Sequence, residues 1–219
     1  MILKKVLTGI FFLVNTYIIG CEETKKGVVI DPGGNIYGIM KIIKQLGIKI
    51  EYIFNTHCHA DHTGGNRKLK KLSDAKIVMH KGDMPYLREL MNGIKIATLH
   101  FSLSPIPDLI IDEETTIKVG NINFKIYHTP GHTPGGICFY TDGKLFTGDT
   151  LFVGDSGTTK LKGGDRPALG ASIRRIMKEL PDDTVIYPGH DYGPTSTSTL
   201  HWEKRNNTNA KEYGYYIEN

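Results

Sequence analysis

Residues 56–65 read THCHADHTGG and place His57, His59, Asp61 and His62 within six positions, four side chains that can each bind a metal ion. The stretch follows the apolar run 48–54 and precedes a charged, helix-like segment, so it reads as a loop leaving a strand. On a helix, residues two apart point apart, and His57 and His59 would not easily share an ion. A loop removes that objection. It can send His57 and His59 to one ion, and Asp61 with His62 to a second a few ångströms away. Imidazole and carboxylate suit Zn²⁺, Fe²⁺ or Mn²⁺ better than Cu⁺ or an iron–sulfur cluster. Cys58, between two of these ligand types, points away from them and reads as an inert filler.

Four more stretches end a strand with a ligand-type residue beside glycine. They are Asp31 in IDPGG, His132 in HTPGHTPGG, Asp149 in FTGDT and His190 in YPGHD. Glycine and proline permit the sharp turns and close approach that such a residue needs next to an ion. His80 also ends a strand and is read as structural. His100, His128 and His201 are assigned no role.

The elements that must position these residues follow from periodicity. Residues 3–31 read as two or three strands, the segment VNTYIIGC turning at 22–26 into GVVI as a hairpin. A lipoprotein export signal ending at Cys21 is the competing reading of this segment, weakened by Asn15, Thr16 and Tyr17. Apolar residues at helical spacing over 36–46 predict a helix stopped by Gly47, and 48–54 a strand. A solvated helix follows over 66–72, then a strand over 76–79 and a short helix over 83–91. Residues 93–112, with Pro105 and Pro107, read as an irregular connection that is a candidate substrate-side loop. Strands return at 115–119, 123–128, 136–140 and 144–147. The clearest amphipathic helix spans 165–180, and a last buried strand spans 184–187. The pattern suits two sheets with helices outside.

Bulk composition sets limits. The 219 residues suffice for one core, so 1–219 is read as a single domain, with 198–219 a short C-terminal helix or tail. The formal charge of +4, from 27 basic and 23 acidic residues, is too slight and scattered to predict nucleic-acid binding. Three cysteines without a CxxC pair exclude a thiolate zinc knuckle and argue against a disulfide scaffold. No segment reaches membrane-span length on this reading, and the expectation is a cytoplasmic monomer or homodimer.

HxHxDH at 57–62, followed in order by PGHTPGG, FTGDTLF and YPGHD, resembles the metallo-β-lactamase fold. More narrowly it is similar to the glyoxalase II-like (hydroxyacylglutathione hydrolase-like) hydrolases and to the related persulfide dioxygenases. The likeness runs from VNTYII near residue 14 to EKRNN at 203–207. It implies an α/β fold (α+β by some schemes), a four-layer αββα sandwich. It also implies two divalent ions, Zn²⁺ first and Fe²⁺ or Mn²⁺ as alternatives. One would be held by His57, His59 and His132, the other by Asp61, His62 and His190, with Asp149 bridging. A metal-bridging hydroxide, oriented by Asp61, would attack the carbonyl carbon of a small acyl-thiol, and Asp31 would brace a ligand histidine or the loop backbone. The thiolate leaving group needs little protonation.

The resemblance carries a second reading, a persulfide dioxygenase with one iron on His57, His132 and Asp149, ringed by His59, Asp61 and His62. A metal-stabilised binding protein without activity is a third. Two departures bear on the substrate. The helical C-terminal region that contacts glutathione in full-length glyoxalase II is mostly missing from this sequence. Thr158 stands where relatives carry an arginine after GDTLF, leaving Lys160 or Lys162 as substitute charges. Thr158, Lys160, Lys162 and Tyr192 are therefore the substrate-side candidates.

Overall fold

The computed structural model describes residues 1–9, 12–93 and 104–218. The first half of the chain runs β1 (Ile2–Thr8), β2 (Val14–Gly20), β3 (Lys26–Ile30), α1 (Ile36–Leu46), β4 (Lys49–Phe54), α2 (Ala60–Thr63), α3 (Asn66–Ser73) and β5 (Lys76–His80). A 3₁₀ turn at Lys81–Asp83 leads to α4 (Met84–Gly93) and β6 (Leu109–Ile111). The second half runs β7 (Thr116–Val119), β8 (Ile122–His128), β9 (Ile137–Thr141), β10 (Lys144–Gly148), β11 (Leu151–Phe152), β12 (Asp155–Ser156), α5 (Arg166–Glu179) and β13 (Val185–Pro188). It closes with β14 (Ser198–Thr199), α6 (Leu200–Asn206) and α7 (Ala210–Tyr213).

Two six-stranded sheets result, ordered β1-β2-β3-β4-β5-β6 and β14-β13-β10-β9-β8-β7. Strands β3, β4, β5 and β6 pair in parallel, as do β10 and β13; the other pairs within these sheets are antiparallel. Side chains alternate between strand faces, and here both faces are apolar. Tyr17, Ile19, Val28, Ile30 and Phe54 meet Phe124, Ile126, Phe139 and Phe146 between the sheets. The intervening Ile18, Val29 and Ile53 face outward onto Ile36, Ile39 and Ile43 of α1 and Leu69 of α3. On the far side Tyr127, Cys138, Leu145 and Ile186 pack against Leu169, Ile173 and Ile176 of α5. The layers are thus α, β, β, α, the expected sandwich.

Near the N-terminus the hairpin reading is the one realised. All seven residues of β2 are buried, and it pairs with β1 on one side and β3 on the other. Helix α5 starts where its signals stand, with the Asp165 carboxylate accepting from Ala168 N and Pro167 in the first turn. Two expectations need correction. Residues 109–111 are not irregular but pair with β5 as the sheet-edge strand β6, while 94–103 of the expected loop lie outside the described residues. The C-terminal stretch is more than one helix: β14 extends the second sheet, and Leu200, Ala210, Tyr213 and Tyr215 enter the core around α5. No helix among the described residues is long and apolar enough to cross a membrane.

Candidate metal centre

Every residue singled out as a ligand leaves the C-terminal end of a strand on the same edge of the sandwich. His57 to His62 follow β4, His132 follows β8, Asp149 follows β10 and His190 follows β13. Hydrogen bonds between the sheets lock this edge: Ile137 N donates to Thr56 O at 2.9 Å, and Asn15 N to Gly189 O at 2.7 Å. Tyr17 Oη donates to Pro188 O at 2.7 Å. Asn15 and Lys5 both reach the Asp191 carboxylate, at 2.9 and 2.7 Å, holding the YPGHD turn.

Two glycines are required by the tightness of the approach. Gly148 has φ +50°, and a Cβ there would stand 2.2 Å from Thr56 Oγ1. A Cβ on Gly189 would stand 2.4 Å from Asp149 Oδ1. Neither position has room for a side chain.

Three overlapping groups converge: His57, His59 and His132; His57, His62 and Asp149; and Asp61, His62 and His190, with ligand atoms in each group within 4.8 Å of one another. Asp149 stands between the outer two. Its Oδ2 lies 3.6 Å from His132 Nε2 and 3.5 Å from His190 Nε2, and its Oδ1 lies 3.3 Å from His62 Nε2.

The tautomers follow from the outward hydrogen bonds. His132 Nδ1 donates to Thr158 O and His190 Nδ1 to Leu13 O, both at 2.7 Å. His62 Nδ1 donates to Asp31 Oδ2 at 2.9 Å. Thr56 Oγ1 donates to Asp31 Oδ2 at 2.6 Å, so it accepts from His57 Nδ1 at 3.0 Å. In the neutral rings each of these four Nε2 atoms then carries a lone pair, and all four turn inward. Asp31, 1% exposed, braces two of these rings, His62 directly and His57 through Thr56.

Protons alone do not satisfy this arrangement. His59 Nδ1 lies 3.0 Å from both His57 Nε2 and His132 Nε2, and a single proton on it serves one contact, not both. His62 Nε2 and His190 Nε2 face each other at 3.2 Å. Among the described residues the buried Asp149 Oδ1 has no hydrogen-bond partner. A tetrahedral ion with bonds of ~2.0–2.1 Å holds its ligand atoms ~3.3 Å apart, which is the spacing found here. Positive charge is also drawn in: burial alone would lower the pKa of His190, yet Asp149 and Asp61 raise it to about 9. Burial would raise Asp149, but His62 and His190 hold it well below the usual carboxylate range. Burial and the neighbouring His132 push His59 down to about 4, keeping it a neutral donor. The residues fit divalent ions.

Asp83, assigned no role from the sequence, ties two of the ligand loops together. It is fully buried, and its Oδ2 accepts from Cys58 N at 2.8 Å and from Thr133 Oγ1 at 3.0 Å, while Oδ1 accepts from Gly135 N at 2.6 Å. One carboxylate therefore fixes the backbone between His57 and His59 against the residues beside His132. The available signal is an acid in the turn that leaves β5, three residues past the strand end, as Asp31 lies in the turn that leaves β3. Asp83→Ala is expected to strand two buried N–H groups at about 1–3 kcal/mol each. A thermal melt should show a clear fall in Tm, with ions on the His57, His59 and His132 side lost first on dialysis against a chelator. An unchanged melt and metal content would show the clamp to be idle.

The remaining expectations divide. Cys58 does point away, packing with Met79, Met84 and Leu87. His80 is buried and His128 stacks on it at 3.9 Å, so both lie apart from the centre. Thr158 and Tyr192 line a cleft of 530 Å³ that opens onto the cluster. Lys160 and Lys162 do not line it; Lys162 Nζ is held by both oxygens of Glu89 at 2.7 Å on the surface. That contact spans 73 residues of sequence, beyond the reach of a local motif.

A four-layer sandwich with a His/Asp cluster for two ions at the shared sheet edge defines a dinuclear metallo-hydrolase. Residues 9–190 match the family model described as the metallo-beta-lactamase superfamily. The chain belongs to that superfamily, in its glyoxalase II-like branch, and is a metal-dependent hydrolase. It is 35% identical over 193 residues to the hydroxyacylglutathione hydrolase GloC of Haemophilus influenzae, covering 85% of this chain and 88% of that one. It is 32% identical over 192 residues to the mitochondrial persulfide dioxygenase ETHE1 of Mus musculus, covering 86% and 68%. Among solved structures, TTHA1623 in a di-iron-bound form matches with a TM-score of 0.80 and 31% identity, over 94% of this chain and 98% of that one.

Proposed function

We propose that the protein hydrolyses thioesters with two divalent ions, Zn²⁺ first among Zn²⁺, Fe²⁺ and Mn²⁺. His57, His59 and His132 would hold one ion, Asp61, His62 and His190 the other, and Asp149 both. The observation that carries this is the second triad. A single iron on His57, His132 and Asp149 would leave unused the group of Asp61, His62 and His190, whose ligand atoms lie within 4.8 Å of one another with His62 Nε2 and His190 Nε2 at 3.2 Å.

When bound, such a pair of ions supplies a water acidified towards neutrality and a Lewis acid for the carbonyl oxygen. The chain's own residues do the rest. Asp61 is about a quarter exposed and lines the cleft. Burial would raise its pKa, but His190 and His62 lower it, so it stays an ionised acceptor. It can orient the attacking water and take its proton. The Asp31–Thr56–His57 and Asp31–His62 bonds fix the rings, so no reorganisation is needed when charge develops. A thiolate leaves without a donor, which suits a cleft whose imidazole Nε2 atoms are committed inward.

The kinship with a persulfide dioxygenase gives the competing reading a specific basis. Protein loaded with Zn²⁺ or Fe²⁺ should release thiol from lactoyl-glutathione or a simpler thioester, and should consume no oxygen with glutathione persulfide. Oxygen uptake without thioester turnover would replace this proposal with the dioxygenase.

A further inference from the structure

We infer that the cleft takes a neutral acyl-thiol with an apolar arm rather than one whose thiol carries carboxylates; this rests on the hydrolase reading above. Outside the metal cluster, four large side chains form the walls: Phe12, Phe152, Leu161 and Tyr192. Phe12 and Tyr192 are each 65% exposed and Leu161 is 51% exposed, so apolar surface is gathered at one mouth beside the chemistry. Such clustering marks a binding surface, whereas single exposed apolar residues do not.

Two of these walls are rigid. The Tyr192 ring lies flat on His190, centroids 4.8 Å apart and planes 7° apart. Phe152 meets both rings edge-on, at 5.2 Å from Tyr192 and 6.0 Å from His190. Phe152 is itself buried, so the pair stands as a fixed aromatic face reaching from a candidate ligand out to solvent.

The charge pattern points the same way. Among the described residues the lining holds no lysine or arginine, and its one charged side chain outside the cluster is Asp155. Asn209 Nδ2 and Ser156 N satisfy Asp155 Oδ1 at 2.7 and 2.8 Å, which leaves its negative charge in place. Lys162 is occupied by Glu89, as described above. A glutathione thioester would bring two carboxylates to this mouth, each losing water without gaining a cationic partner. An aliphatic or aromatic arm would gain by covering the exposed rings.

The reaction balances as a hydrolysis. The water oxygen bonds to the carbonyl carbon and the C–S bond breaks with its electron pair leaving on sulfur; of the two protons of water, one passes through Asp61 to solvent and the other ends on the departing sulfur. The products are a carboxylate and a thiol.

The test compares matched substrates on the metal-loaded protein: hexanoyl thioesters of N-acetylcysteamine and of glutathione. Their kcat/KM values should differ by at least about tenfold in favour of the neutral thiol. Calorimetry with the uncleavable thioethers, S-hexyl-N-acetylcysteamine against S-hexylglutathione, should show the same order in Kd, and should show it on the metal-free chain as well. Phe12→Ser with Leu161→Ser should narrow the ratio, and Thr158→Arg should shift it towards the glutathione ester. A preference for glutathione in both measurements, or a ratio indifferent to all three substitutions, overturns the inference while leaving hydrolysis intact. Loaded protein that cleaves neither thioester overturns the hydrolase reading, and this inference falls with it.

Discussion

Asp149→Ala is expected to remove most bound metal and to lower kcat/KM by on the order of 10³-fold or more. The carboxylate lies within 3.3–3.6 Å of His62, His132 and His190, so its loss touches both triads at once. Asp61 cannot stand in for it, because Asp61 pairs with His62 and His190, on the far side of the cluster from His132 and His59. The sheets do not depend on it. Circular dichroism should therefore report a folded chain, while elemental analysis reports far fewer ions than the parent. A variant that keeps full metal content and rate would remove Asp149 from the centre.

Asp31→Asn should have the next largest effect, through two ligands that Asp31 itself positions. Its carboxylate accepts from Thr56 N at 2.8 Å, Thr56 Oγ1 at 2.6 Å and His62 Nδ1 at 2.9 Å. Asparagine keeps the shape and one acceptor but must set an N–H₂ against a donor, which disturbs the tautomer of His62 or, through Thr56, of His57. Loss of such an outer partner costs metal affinity about 10–100-fold. The choice of asparagine matters because Asp31 sits at φ +50°, a conformation that asparagine tolerates and alanine resists. Asp31→Ala should add a further drop in Tm, and chelator competition separates the two effects. Equal metal affinity in parent and Asp31→Asn would show that the bracing is not needed.

Much of this centre was legible because its ligands are carried by short local motifs at strand exits. THCHADHTGG, PGH, TGD and YPGH each combine a ligand with the glycine or proline that lets the chain turn tightly. Their grouping was not legible from spacing alone, since the loop allowed several pairings of His57, His59, Asp61 and His62. Only the fold brings His132 to His59 and His190 to His62. Long amphipathic elements such as α1 and α5 could be read in the same way, from apolar spacing and from the Asp165 cap. The two- and three-residue strands β6, β11, β12 and β14 could not, because pairing rather than local preference makes them strands.

What the sequence concealed shares one physical feature, partners distant along the chain. Asp83 acts on Cys58, Thr133 and Gly135, contacts 25 to 52 residues away. Lys162 reads as a free charge near the site until Glu89 is found beside it. Phe12 and Tyr192 meet at one mouth although they come from opposite ends of the chain. Tyr192, one of the substrate-side candidates, lines the cleft. Its stacking on the His190 ring could not be inferred from a spacing of two.

Metal content per chain, measured on protein purified without oxygen and followed as ions are stripped and restored, bears most directly on the two-ion hydrolase. About two divalent ions per chain, with thioester turnover that disappears as the second is removed and returns with it, is the expected result. One iron per chain, undiminished by further stripping and accompanied by persulfide-dependent oxygen uptake, would contradict it and would leave Asp61, His62 and His190 outside the coordination sphere.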